Sequence, residues 1–198
     1  MPFLYFSGMD YKINKEETVF HNHYKMLKAN ITYDTFSGEE ITTDRFAFHR
    51  GDSVAILLYE KDTASVLVTK QFRYPTTQHD QGWMYEIPAG SLEKDECPLA
   101  CVIRETEEEV GYSVFQPEQI FNFYVSPGGA TERCYLFYAE VTARDKTSKG
   151  GGLVSEKEDI KSIKVPVSEI ESWLSEKIID AKTIIALQWF LSKQKDKF

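Results

Sequence analysis

The sequence holds only three cysteines in 198 residues, too few and too scattered for a disulfide scaffold. Cys97, Cys101 and Cys134 cannot all pair, and Pro98 beside Cys97 suggests a helix start rather than a disulfide clip. The simplest expectation is reduced thiols in a cytoplasmic protein. No apolar run approaches the roughly 20 residues that a membrane span needs, so no membrane partner is expected. The opening MPFLYFSGMDYK lacks a basic region followed by a long apolar stretch, so no secretory signal is readable there. Positive charge is in deficit. Lys plus Arg number 23 against 31 Asp plus Glu, a net charge of −8, which argues against a general nucleic-acid binder. The four histidines, His21, His23, His49 and His79, show no zinc-type spacing with the cysteines. His21 and His23 alternate as neighbours on one solvated strand face would. Internal repeats, low-complexity tracts and any convincing Ser-His-Asp or Cys-His constellation are also missing.

What is present reads as one folded domain with an appendage. Hydrophobic residues at 42% and charged residues at 27% exclude a disordered chain. Residues 17 to 48 read as strands. Leu27, Ala29, Ile31 and Tyr33 alternate with polar neighbours, the pattern of a half-buried strand. Ser37-Gly38 marks a turn, and Ile41 to Phe48 resembles a return strand. This front section is too small to hold a core alone. Ser53–Tyr59 and Ser65–Phe72 follow as apolar strands, then a polar loop at Thr76–Gly82 and a short strand at Trp83–Ile87. Extended segments are expected within Tyr112–Tyr124, at Cys134–Val141 and at Ile160–Val167, with a polar loop at Ala143–Lys157. Two helices close the chain. One spans Ser168 to Lys177; the second is capped by Asp180 and buries Ile184, Leu187, Phe190 and Leu191.

The stretch that carries chemistry is AGSLEKDECPLACVIRETEEEVGY, Ala89 to Tyr112. Gly90 ends a strand and opens a loop, Glu96 sits near a helix start, and Gly111 terminates the helix. At about 100° per residue, Glu109 lies roughly 40° from Glu105 and Glu108 roughly 60° the other way, so the three carboxylates share one face. Leu99, Val102, Ile103 and Val110 lie mostly opposite, as a core face, and Glu107 falls at the side. A solvated acidic face is the ordinary meaning of such a run. Against it, like charges at these spacings repel, and clustered hard oxygens are what Mg²⁺ or Mn²⁺ requires.

The stretch resembles the Nudix box: G, five residues, E, seven residues, R-E-apolar-x-E-E-x-G-apolar. Gly90, Glu96, Arg104, Glu105, Glu108, Glu109 and Gly111 all match, and Thr106 departs where an aliphatic residue is usual. Chance would give those matches roughly once in a few hundred million starting points, so coincidence is set aside. KQFRYP, YEIPAG, YVSPGGATE, GGGLVSEKEDI and IIDAKTIIALQWF resemble the subfamily that hydrolyses ADP-ribose and related nucleoside diphosphate sugars.

The resemblance implies an α/β fold, a Nudix α/β/α sandwich with a mixed sheet and an N-terminal antiparallel β extension. The extension is expected over residues 1–44 and the hydrolase domain over residues 45–198. The implied partners are a nucleoside diphosphate sugar and a second copy of the chain, in a homodimer whose extensions swap. The implied function is Mg²⁺-dependent hydrolysis (Mn²⁺ being an alternative) of ADP-ribose to AMP and ribose 5-phosphate, with GDP-mannose as the alternative substrate and a non-catalytic nucleotide sensor as the rival class. By the family pattern, Glu105, Glu109 and the Ala89 carbonyl are metal ligands. Glu108 is a ligand or an acceptor behind the ligands, and Arg104 orients the glutamates. Gly90 would let the chain turn sharply. Three glycines would make the Gly150–Asp159 loop mobile, with Glu156 as general base and Glu158 as metal ligand, or the reverse. Arg50 and Arg73 suit phosphate, since guanidinium forks match phosphate oxygens. Glu86 would accept hydrogen bonds from base or ribose, or pair with an arginine. Ser126, Gly128 and Gly129 would shape a rim, and Glu132 would hold a ribose hydroxyl or its own loop. Phe6, Tyr11 and Phe20 could stack a base, although core packing is the commoner role for such residues.

Overall fold

The computed structural model describes residues 9–195, and Phe6 lies outside them. The chain divides into two compact units: Met1–Gly51 with Ser126–Glu132, and Asp52–Val125 with Arg133–Phe198.

The front unit is a three-stranded antiparallel sheet of β1 (Tyr11–His21), β2 (Lys25–Asp34) and β3 (Glu40–His49), in the order β1-β2-β3. β1 begins six residues earlier than the sequence pattern indicates. His23 falls in the β1–β2 turn, so it does not share a strand face with His21. Gly38, at φ 84°, closes the β2–β3 turn as expected. Asn14, Asn30, Thr32, Thr42 and Asp44 form a hydrogen-bonded ladder across the three strands. β3 pairs with β2 all the way from Glu40 to His49, within the unit that runs to Gly51.

The second unit is built on a seven-stranded mixed sheet. Its strands are β4 (Ser53–Glu60), β5 (Ser65–Phe72), β6 (Trp83–Glu86), β7 (Ala89–Ser91), β8 (Glu118–Tyr124), β9 (Arg133–Val141) and β10 (Lys161–Pro166). The main path is β10-β5-β4-β9-β8; β4 and β9 run parallel and the other pairs antiparallel. β4 pairs with β5 only over Leu58–Glu60 and with β7 over Ser53–Ala55, while β6 pairs with the far half of β5. β4 and β5 thus fork, and β6 and β7 fill the fork.

The apolar run of β4 is sorted by the pleat. Val54, Ile56 and Leu58 pack with Val102 and Val110 of α1 (Pro98–Val110) on one face. Ala55 and Leu57 pack on the other face with Ile170 and Trp173 of α2 (Ile170–Glu176), and with Ala186, Leu187 and Phe190 of α3 (Ala181–Lys195). Each large aliphatic side chain so buried contributes roughly 1.5–3 kcal/mol. The expected α/β/α sandwich is therefore present. Two details differ. Leu99, in the first turn of α1, is 44% exposed, whereas Thr106 is fully buried and returns its hydroxyl to the Val102 carbonyl. Of Tyr112–Tyr124, only the part after Pro117 forms a strand; Tyr112 makes an isolated bridge to Lys146. No described helix is long and apolar enough to cross a membrane.

Candidate active site

Helix α1 positions the box carboxylates, and its ends are well defined. Cys97 caps the start, its sulfur accepting from the Ala100 amide, and Pro98 occupies the first turn, where its missing N–H costs nothing. Gly111, at φ 75°, closes the helix in the left-handed conformation. Arg104 gathers three glutamates. Its Nε and Nη2 hold both oxygens of Glu96 at 3.1 Å, and Nη1 donates to Glu105 at 2.9 Å and to Glu108 at 3.0 Å. The fork holds the Glu96 carboxyl down at about 2, so it stays ionised.

Glu105 and Glu109 behave oppositely. Burial pushes Glu109 up to about 8; the Ala89 amide at 3.0 Å opposes this, and the Glu105 and Glu158 charges add to it. Burial likewise pushes Glu105 up to about 7, outweighing Arg104, with Glu108 and Glu158 reinforcing the rise. The sheet fork brings Gly90 against this pair. Gly90 has an ordinary extended backbone in β7, paired with Val54, so a sharp turn is not what glycine provides here. It provides room, since a Cβ built on it would collide with the Glu105 carboxylate.

Gly150, Gly151 and Gly152 run as a strap across the end of α1. The Gly151 and Gly152 amides donate to the Glu109 and Glu108 carbonyls at 2.9 and 3.0 Å, and the Thr147 and Ser148 amides both donate to the Gly111 carbonyl. These bonds satisfy carbonyls that a helix end otherwise leaves without partners. Ile160 N–H donates to the Gly151 carbonyl at 3.1 Å and closes the loop's neck. Glu158 lies half-buried on that neck, and its charge reaches both Glu105 and Glu109. Glu156 sits exposed on the short turn Val154–Glu156 at the tip.

The cation candidates are placed in different surroundings. Arg73 commits Nε and Nη2 to Glu86, at 2.9 and 2.8 Å, and its charge acts on Glu109. Glu86 is buried, and Lys182 holds its other oxygen at 3.0 Å, so both oxygens are already engaged within the protein. Burial raises the Glu86 carboxyl, but Lys182 and Arg73 outweigh it and keep the group below its usual range. Lys182 also bonds Asp180, which caps α3 through the Thr183 amide and hydroxyl; that hydroxyl accepts from the Ile87 amide. Sequence reasoning missed Lys182, because its partner Glu86 is 96 residues away and leaves no local signal.

Arg50, Ser126, Gly128, Gly129 and Glu132 belong to the front unit. Arg50 lies 3.7 Å from Glu132 and over the Tyr24 ring. The Ser126 carbonyl accepts from the Gly129 and Ala130 amides, and the turn joins β3 where Phe48 N–H meets the Gly129 carbonyl at 2.8 Å.

Among the described residues, no three His, Cys, Asp or Glu side chains already converge as a metal cluster. The donors nonetheless fit a hard dication. Glu109 is buried and Glu105 half-buried, burial disfavours the charged form of each, and a bound dication would favour it.

A box helix with these glutamates, braced by one arginine and laid beside a glycine with no room for a side chain, defines a class. The chain belongs to the Nudix family: residues 49–188 match the NUDIX domain. It is a Nudix hydrolase, and hydrolases of this family generally use divalent metal ions. Among similar curated proteins, GDP-mannose pyrophosphatase of Cronobacter sakazakii (strain ATCC BAA-894) is 36% identical over 186 residues, covering 91% of this chain and 95% of that protein. GDP-mannose pyrophosphatase of Salmonella paratyphi B (strain ATCC BAA-1250 / SPB7) is 37% identical over 179 residues, 88% and 92% of the two chains. A solved structure described as an ADP compounds hydrolase shares the fold, with a TM-score of 0.72 at 15% identity over 94% of this chain and 95% of that one.

Proposed function

We propose that the protein cleaves the diphosphate of a nucleoside diphosphate sugar, releasing a nucleoside monophosphate and a sugar phosphate, with Mg²⁺ as the working ion and Mn²⁺ as a substitute. The observation that carries this reading is half-buried Glu105 against Gly90 and buried Glu109 bonded to the Ala89 amide. The names of the curated relatives favour GDP-mannose as the sugar nucleotide. ADP-ribose is the second reading, supported by the resemblance of the flanking motifs to ADP-ribose hydrolases.

The ion would be held by Glu105, Glu109, the Ala89 carbonyl and Glu158. When bound it supplies charge neutralisation to the diphosphate and acidifies water. The protein's own part is orientation and proton transfer. Arg104 keeps Glu105 and Glu108 in place, and Arg73, braced by Glu86, adds positive charge beside Glu109 for the diphosphate. A carboxylate must take the proton of the attacking water directly or through one water. We assign that to Glu156, which the exposed tip would carry inward, with Glu108 as the next candidate because it already faces the box. Arg50, Glu132 and the Ser126–Gly128–Gly129 turn would contact the nucleotide or sugar.

We also place the protein in the cytoplasm as a homodimer. Support for the dimer comes from β1, exposed along its whole length and carrying Tyr11, Ile13, Val19 and Phe20. A second copy of the same sheet is the partner proposed, with the extension swapping across. The deciding experiment compares kcat/KM for GDP-mannose and ADP-ribose with Mg²⁺, with chromatography of the products. The expected products are GMP and mannose 1-phosphate, or AMP and ribose 5-phosphate. Binding of both compounds with turnover of neither would make the site a sensor and end the proposal.

A further inference from the structure

Gly152 contributes an absence to the active site. Its φ is +82°, and a Cβ built there would lie 2.6 Å from both the Cβ and the Oε2 of Glu158. The Leu153 amide donates to that same Oε2 at 3.0 Å. On the other side, Gly152 N–H is fixed to the Glu108 carbonyl, one residue from Glu109. The backbone that shapes the Glu158 side chain is therefore bonded directly to the helix that carries the box. The neck bond from Ile160 to Gly151 closes this arrangement on its far side. Three separate restraints, a strap, a hydrogen bond and an empty Cβ position, act on one carboxylate.

We infer that Gly152 is a positioning residue for Glu158: its missing side chain and its bond to the α1 terminus seat the Glu158 carboxylate toward Glu105 and Glu109. The inference rests on the proposed role of Glu158 as a metal ligand. It changes how the loop is understood, since Glu158 is then preset by the helix even before substrate arrives, and only the tip around Glu156 is left to move. The neighbouring Gly151 supplies an internal control. Its φ of +113° makes a side chain equally strained, yet a Cβ there would meet only the Ile160 carbonyl oxygen, at an ordinary 3.7 Å.

The test is Mn²⁺ binding without substrate, read from the EPR signal of the free ion, on the full-length chain and its variants. Gly152→Ala should weaken Mn²⁺ about 10- to 100-fold, the effect usual when a group that orients a ligand is lost. Gly151→Ala should lower the melting temperature but keep the Mn²⁺ affinity within about threefold. The double variant Gly152→Ala/Glu158→Gln should bind Mn²⁺ no more weakly than Glu158→Gln alone, because a misplaced ligand and a missing one are the same loss. Additive effects, or equal loss in Gly151→Ala and Gly152→Ala, would overturn the inference and leave the ligand role of Glu158 standing. Unchanged affinity in Glu158→Gln would overturn that role and the inference together. Should Gly152→Ala fail to fold, Gly152→Asn places a Cβ at the same point with a residue that tolerates positive φ better. Weakened Mn²⁺ binding in that variant supports the inference, and unchanged binding refutes it.

Discussion

Replacing Gly90 with alanine should disable the protein while leaving it folded. The backbone at Gly90 is extended, so alanine introduces no strain of its own. Its methyl would, however, occupy the place of the Glu105 carboxylate. Overpacking a tight core costs about 1–3 kcal/mol. Here the obstacle is the far end of a flexible side chain, 14% exposed, which can swing toward water. Losing glycine's freedom in the unfolded chain returns about 0.4–1 kcal/mol. Arg104 keeps Glu96 and Glu108 when Glu105 leaves. The net change in stability should therefore stay within about 1 kcal/mol. The site fares worse, because a displacement of about 1 Å in a reacting group costs about 100-fold, which is about 2.7 kcal/mol in the barrier. Urea unfolding with EDTA gives the first quantity, and kcat/KM with GDP-mannose and ADP-ribose at saturating Mg²⁺ gives the second. Activity within about threefold of the parent would show that the Glu105 carboxylate need not stand where Gly90 admits it. A loss of stability above about 4 kcal/mol would show that Glu105 cannot move aside.

Three further outcomes are expected. Glu105 and Glu109 carry raised values, about 7 and about 8, so the folded protein binds more protons than the unfolded chain between about pH 4.5 and 8. Metal-free stability should accordingly fall as pH rises through that window; Glu109→Gln should flatten the fall and cut activity by about 100-fold or more, and an equally steep fall in the variant would contradict the assignment. Tyr112→Phe removes a hydrogen bond to the fully buried Glu60, which Lys164 and Thr63 also hold; chemical denaturation should show a loss of about 1–3 kcal/mol, and no loss would mean water replaces the phenol. Deleting residues 1–51 should abolish the proposed dimer and the activity together, with light scattering and turnover as readouts, and a fully active monomer would refute the swapped arrangement.

Much of this protein is written locally in its sequence. The α1 face is legible because Glu105, Glu108 and Glu109 recur at helical spacing and Gly111 marks the stop, all within one short stretch. The sandwich is legible too, because β4 is apolar at consecutive positions and both its faces are covered. Gly90 and the Gly150–Gly152 tract show where such reading ends. Both were visible as glycines, but the reason for each lies in atoms distant along the chain: a carboxylate on α1 for Gly90, and helix-end carbonyls and Glu158 for the tract. The same holds for Lys182, whose charge is spent on Glu86 across the fold. Local spacing determines which residues share a helix face or strand, because backbone geometry repeats every few residues. Which buried charge meets which counter-charge, and which position has no room for a side chain, depends on packing between segments far apart in the chain, and only the tertiary structure decided those.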